Sequence, residues 1–211
     1  MTAQIHDRVL VDGDEWSLTG ASGGPLFEPE RHRLEPVATS TASWRGWHAV
    51  YALADDRLVL HRLDLGLKGD AEDAARAGNG PLLAGHRPRV ATVQASVHTW
   101  LGWREREVPT GEWRYEGLGL PIPFTGTLLL GRGFLRELYV HMGFHPCWKY
   151  AETLELGFED GQQTSRRDLS ARTAELRERL AGRDAPTGDA REEEIAAWIA
   201  STFTLDCPLD P

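Results

Sequence analysis

The stretch Phe124–Tyr150, FTGTLLLGRGFLRELYVHMGFHPCWKY, decides how this chain is read. It passes from a strongly apolar run, Thr127–Leu130, into an alternating one, Leu135–Met142, and then into a segment carrying His145, Cys147, Trp148 and Lys149. Alternation places Leu138, Val140 and Met142 on one face of a strand and Glu137, Tyr139 and His141 on the other. Downstream, Leu154, Leu156 and Phe158 alternate with Thr153, Glu155 and Glu159, so the two apolar sets are expected to share one core. Registers that set Glu137 opposite Glu155 or Glu159 bring like charges together at about 0.2–1 kcal/mol. Pairing Val140 with Leu154 and Leu138 with Leu156 avoids both contacts. That register sets Tyr139 opposite Glu155 and His141 opposite Thr153, and makes Gly143–Ala151 the connecting loop.

Outward from this pair, the first two-thirds of the chain read as β-structure. Asp12-Gly13-Asp14 separates the short runs Arg8–Val11 and Glu15–Leu18, a hairpin signal. Ala54-Asp55-Asp56 does the same between Trp47–Leu53 and Arg57–Leu63. Val90–Val97 and Trp113–Tyr115 are further strands, Thr153–Glu159 ends at Asp160-Gly161, and Ala71–Ala77 is a short helix in a surface insertion. The tail changes period. Leu169, Leu176 and Leu180 recur at near-helical spacing over Asp168–Leu180. After a capping pattern at Asp189 and Glu192, Ile195, Trp198, Ile199 and Phe203 form the stripe of a second helix. Many strands followed by helices predict an α+β fold, predominantly antiparallel β, sandwich- or barrel-like, with two C-terminal helices. The expected organisation is a single domain over 1–211, with a β-rich body at 1–161 and a helical extension at 162–211 packed on it.

The formal charge of -9 argues against a nucleic-acid surface and suits a basic protein partner. No apolar run is long enough to span a bilayer as a helix. The opening MTAQIHDRVLVDGDEW has neither a basic nor an apolar leader segment, so a cytoplasmic location is expected. Lys68 and Lys149 are the only lysines among many arginines, a bias typical of GC-rich bacterial genomes. Eight Trp are too many rings to leave in water, and Trp44, Trp47, Trp100, Trp103 and Trp113 lie near Arg45, Arg104 and Arg114. Core packing together with a partner surface is the expected use of that group.

The chemistry-bearing residues concentrate at 139–155. His141, His145 and Cys147 are zinc-ligand types, yet Gly143 and Pro146 exclude the helix that would align two imidazoles, and a fourth ligand is missing. An imidazolium beside Cys147 would activate its thiol, although Pro146 and Trp148 on either side favour a buried, inert one. Lys149 between Trp148 and Tyr150 is expected to snorkel over the rings. Tyr139, His141 and Glu155 share a face, so a carboxylate-oriented imidazole is an available arrangement. His141, His145, Cys147, Trp148, Lys149, Tyr139 and Glu155 are therefore the expected binding residues, with no catalytic set, metal or cofactor assigned. Gly20–Gly24 and Gly131-Arg132-Gly133 match no phosphate-binding pattern and read as turns or a bulge.

Two blocks, STASWRGWHAVYALADDRLVLHRLDL (Ser40–Leu65) and PIPFTGTLLLGRGFLRELYVHMGFHPCWKYAETLELGFEDG (Pro121–Gly161), resemble a group of uncharacterised bacterial β-rich proteins. In that group a WRG strand precedes an acidic turn and an L-x-L strand, and F-T-G-x-L precedes Y-V-H-M-G-F. The resemblance covers about a third of the chain. It implies a shared β-rich fold and brings no activity or site residue with it. Two functions follow from the residues: a non-enzymatic binding or protein-interaction module of immunity type, or an enzyme or a small-molecule or metal binder with its site at 141–150.

Overall fold

A computed structural model of the chain describes residues 3–100, 102–139, 141 and 144–180. Their class is α+β and β-rich, with mixed pairing of mostly antiparallel strands and two α-helices among the described residues. In chain order the strands are β1 (Arg8–Val11), β2 (Asp14–Ser22), β3 (Trp47–Ala54), β4 (Arg57–Leu65), β5 (Arg89–Thr99) and β6 (Gly102–Tyr115). They continue as β7 (Leu120–Pro121), β8 (Gly126–Phe134), β9 (Tyr150–Glu159) and β10 (Gln162–Asp168). The helices are α1 (Gly69–Arg76) and α2 (Ser170–Leu180). The chain divides into two compact units, one formed by the residues up to Phe27, Val50–Val59 and the chain from Pro121, the other by Glu28–Ala49 and Leu60–Leu120.

In the first unit the strand order is β10-β9-β8-β2-β1-β3. β1 runs parallel to β3, with Val9 beside Tyr51, and the other neighbours in this order are antiparallel. Leu18, Leu130 and Leu154 lie in one cross-strand row, and Leu128 faces Leu156 in another; all five are buried. The hairpin turns use left-handed aspartates. Asp12 has φ 54°, Asp55 and Asp56 have φ 50° and 60°, and Asp160 has φ 47°. Asp tolerates this region better than most residues, and it matches the twist of a tight hairpin. Where β2 meets β8 the two backbones nearly touch. A Cβ on Gly126 would lie 1.9 Å from the Ser22 carbonyl oxygen, and one on Gly23 would lie 2.1 Å from that of Thr125.

The expected strand over Leu135–Met142, and with it the Val140–Leu154 register, is corrected by the structure. Arg136–Leu138 is a 3-10 turn, and the partner of β9 is β8, with Leu130 opposite Leu154 and Leu128 opposite Leu156. The apolar face assigned to β9 is the buried one. The apolar strand runs on past Leu130 to Phe134. Gly131-Arg132-Gly133 is strand rather than turn, because Gly131 leaves room for the Tyr150 ring, 2.5 Å from where a Cβ would sit, and Arg132 pairs across the ladder with Glu152 at 2.6 Å. β8 thus occupies the edge of β9 that the later segment was expected to take. Val140 and Met142 lie outside the described residues.

The β-rich part also continues past Gly161. Asp160-Gly161 turns the chain into β10, so Gln162–Asp168 is strand and the helical part begins at Ser170. Asp168 Oδ1 accepts the Ser170 N–H at 2.8 Å and marks the start of α2, the helix expected over Asp168–Leu180. The second tail helix, with Ile195, Trp198, Ile199 and Phe203, falls outside the described residues.

The second unit is built on β4, β6 and β5. Leu63, Asp64 and Leu65 face Tyr115, Arg114 and Trp113, and β5 and β6 then extend together as a long antiparallel ribbon. Ala91, Leu63, Leu65 and Tyr115 are fully buried, and the Tyr115 hydroxyl donates to the Pro81 carbonyl at 2.8 Å. Burial pushes the Tyr115 phenol up to about 12. Among the described residues no helix is long and apolar enough to cross a membrane.

Candidate functional sites

The segment leading into β9 is held by its backbone. Cys147–Lys149 forms a 3-10 turn after Pro146, with the Lys149 N–H donating to the Pro146 carbonyl at 3.0 Å. Arg177 of α2 donates to the carbonyls of Trp148 and Tyr150 at 2.8 and 2.6 Å, and the Leu135 N–H donates to that of Lys149 at 2.9 Å. These contacts turn His145, Cys147 and Lys149 inward.

His145 is only 7% exposed, and neither ring nitrogen has a hydrogen-bond partner. Its ring lies 4.7 Å from Phe134 and 5.3 Å from Tyr139, centroid to centroid. Burial, with the charges of Lys149 and His6 adding to it, brings the His145 imidazole down to about 4, so it is neutral at pH 7. Lys149 is 4% exposed, and burial lowers its ammonium below the usual lysine range. Its Nζ lies 5.3 Å from the centroid of the Trp148 ring, so the expected ring contact is present, but as a buried amine rather than a snorkelling one.

The remaining expected residues divide. Tyr139 and His141 are exposed and hydrogen-bonded to each other, Oη to Nδ1, at 2.8 Å. Glu155 is taken by Arg167 of β10, whose Nε donates to it at 2.8 Å, so it does not orient His141. Cys147 is fully buried, so its sulfur is out of reach of a substrate. Among the described residues no three His, Cys, Asp or Glu side chains come together as a metal site would require.

Sequence reasoning missed His6. Its Nδ1–H donates to the Leu18 carbonyl at 2.8 Å and its Nε2 accepts the backbone N–H of His145 at 3.0 Å. It also missed a buried polar group in the second unit. Asp64 is 1% exposed and meets Arg114 Nε at 2.5 Å, Arg62 Nε at 3.2 Å and His48 Nε2 at 3.3 Å. Burial opposes its charge, but His48 and Arg114 outweigh that and hold the carboxyl below the ordinary range. On the other side of His48, Glu112 Oε2 lies 3.8 Å from Nδ1, and Glu112 Oε1 accepts the Thr39 hydroxyl at 3.0 Å. The one available signal was Asp64 interrupting the apolar run Leu63–Leu65.

The β5–β6 ribbon presents the two most exposed aromatic rings among the described residues. Trp100, at its tip, is 91% exposed and Trp103 is 71% exposed. The register gives the ribbon two chemically different faces. Gln94, Ser96 and His98 lie opposite Glu107, Glu105 and Trp103, whereas Val93, Ala95 and Val97 lie opposite Val108, Arg106 and Arg104. On the first face His98 and Trp103 stack edge to face at 5.3 Å, and the Ser96 hydroxyl donates to Glu105.

No family model, no curated protein and no solved structure matches the chain.

Proposed function

We propose that this chain is a non-enzymatic protein-interaction module, of immunity or related type, which docks a basic protein through the β5–β6 ribbon. The carrying observation is the pair of exposed indoles, Trp100 and Trp103, at the end of a projecting two-stranded arm. Trp is the residue most enriched among interface anchors, and a soluble chain gains nothing from leaving two of them in water. Glu105 and Glu107 beside Trp103, on a chain of net charge -9, select a cationic partner surface. The buried condition of His145, Cys147 and Lys149 supports the same reading, since reactive groups must reach a substrate.

The test is affinity isolation from a cell extract with the intact chain and with the double substitution Trp100→Ser, Trp103→Ser, followed by protein identification and direct titration. A basic protein that binds the intact chain, and binds the equally stable double variant at least about tenfold more weakly, supports the reading. Equal binding by the two, or burial of both indoles in a homodimer seen by light scattering, overturns it.

A further inference from the structure

At the base of the ribbon, within the second unit, lies a cleft of about 590 Å³ lined by Ala75, Arg76, Val90, Pro109, Glu112 and Trp113 among others. That is within the roughly 300–1,000 Å³ range of small-molecule sites. A second recess of about 430 Å³ shares Gly78, Pro88 and Arg89 with it and adds His86, Arg87, Arg114 and Glu116. The two recesses differ in chemistry. Ala75, Val90, Pro109 and Trp113 make the first largely apolar, and three arginines against the single carboxylate of Glu116 leave the second cationic.

The arginines are unequally compensated. Arg89 and Arg114 stand directly opposite each other in the β5–β6 ladder, an unfavourable like-charge pair. Arg114 has the carboxylates of Asp64 at 2.5 Å and Glu116 at 3.8 Å, and Arg87 donates to the Gly80 carbonyl at 2.7 Å. The Arg89 guanidinium makes no hydrogen bond or ion pair among the described residues. An exposed guanidinium with no protein partner, on the wall common to an apolar cleft, is available to hold an anion with an apolar body. Behind two of the lining residues the packing is tight, because a Cβ on Gly80 would meet Pro88 Cγ at 2.7 Å and the Ala75 Cβ at 2.9 Å.

We propose that the joined recess binds a small aryl- or alkyl-carboxylate, its carboxylate on Arg89 and its apolar body against Val90, Pro109 and Trp113. A planar carboxylate matches the guanidinium fork with two parallel hydrogen bonds. This site is independent of the protein partner, since it uses neither Trp100 nor Trp103.

The experiment is calorimetric titration of the intact chain with 3-phenylpropanoate and octanoate, using 3-phenylpropanol and inorganic phosphate as comparison probes. The carboxylates should bind, and the alcohol and phosphate should each bind about tenfold more weakly or worse. Arg89→Gln should weaken the carboxylates about tenfold and leave the alcohol unchanged. Val90→Trp, which fills the apolar part from its exposed side, should weaken carboxylates and alcohol alike. Both variants change exposed residues, and their melting is measured alongside to show that they fold. Absence of carboxylate binding up to about 10 mM, undiminished binding by folded Arg89→Gln, or phosphate binding as tight as that of the carboxylates would each overturn the proposal.

Discussion

The backbone N–H of His145 donates to Nε2 of His6, 3.0 Å away and 139 residues earlier in the chain. Because Nε2 accepts, the proton of a neutral His6 sits on Nδ1, where it donates to the Leu18 carbonyl at 2.8 Å. One imidazole thus fastens the start of the chain both to β2 and to the segment before β9. Replacing His6 by Leu removes both bonds and leaves a main-chain donor and acceptor to find new partners. A loss of about 1–3 kcal/mol is expected, read by urea unfolding.

His145 gives the acid side of the stability profile a particular shape. Its imidazole titrates near 6.5 when unfolded and at about 4 when folded. Between those values the unfolded chain binds the extra proton, so its contribution is complete above pH 6.5 and is lost as the pH falls towards 4. Replacing His145 by Leu should flatten unfolding free energy against pH over that window. With no buried ring nitrogen left unpaired, it should also be neutral to stabilising at pH 7, by up to about 3 kcal/mol.

Asp64 is the carboxylate on which Arg62, Arg114 and His48 converge. Asp64→Asn keeps the shape but takes the counter-charge from Arg62 and Arg114. A cost of about 3–5 kcal/mol is expected, of the size seen when one partner of a buried pair is removed. In the intact chain this carboxylate's contribution is present above its unfolded value of 3.8 and falls away as the pH drops through its lower folded value.

Gly126 has φ 148° and would set a Cβ 1.9 Å from the Ser22 carbonyl oxygen. Gly126→Ala must therefore push β2 and β8 apart, at about 1–3 kcal/mol from overpacking alone. Gly13→Ala meets no atom within 4 Å and carries only the strain of its φ of 84°. Thermal melting of the two variants should show the larger fall for Gly126→Ala.

The tryptophans should separate sharply in stability measurements. Trp100→Ala and Trp103→Ala, at exposed positions, should each shift unfolding free energy by no more than about 0.5 kcal/mol. Trp113→Ala removes a ring that is 6% exposed and should cost about 3–5 kcal/mol.

Much of the local structure was legible because its causes lie within a few residues. Asp12-Gly13 and Asp55-Asp56 announce their turns, since the short polar side chain tolerates the left-handed backbone wherever it occurs. The 2-residue period of Leu154, Leu156 and Phe158 marks the buried face of β9 whichever strand lies beside it. The weight placed on the segment before β9 was likewise a matter of residue type. Its chemistry was not legible, because the burial of His145 and Lys149 is set by Arg177 and by rings from other elements.

What the sequence by itself determined is therefore the β-rich class, the turns and the strand faces. Each is a property of neighbouring side chains and allowed backbone angles. Which strand pairs with which was decided only by the tertiary structure. Leu128–Leu130 and the alternating run at 135–142 offered β9 comparable apolar faces. Gly131 settled the choice by admitting the Tyr150 ring, and Arg132 did so by meeting Glu152. The His6–His145 bond and the Asp64 cluster belong to the same class of fact. Their partners are far apart in the chain, and a hydrogen bond or ion pair between distant residues leaves no periodicity along it to read.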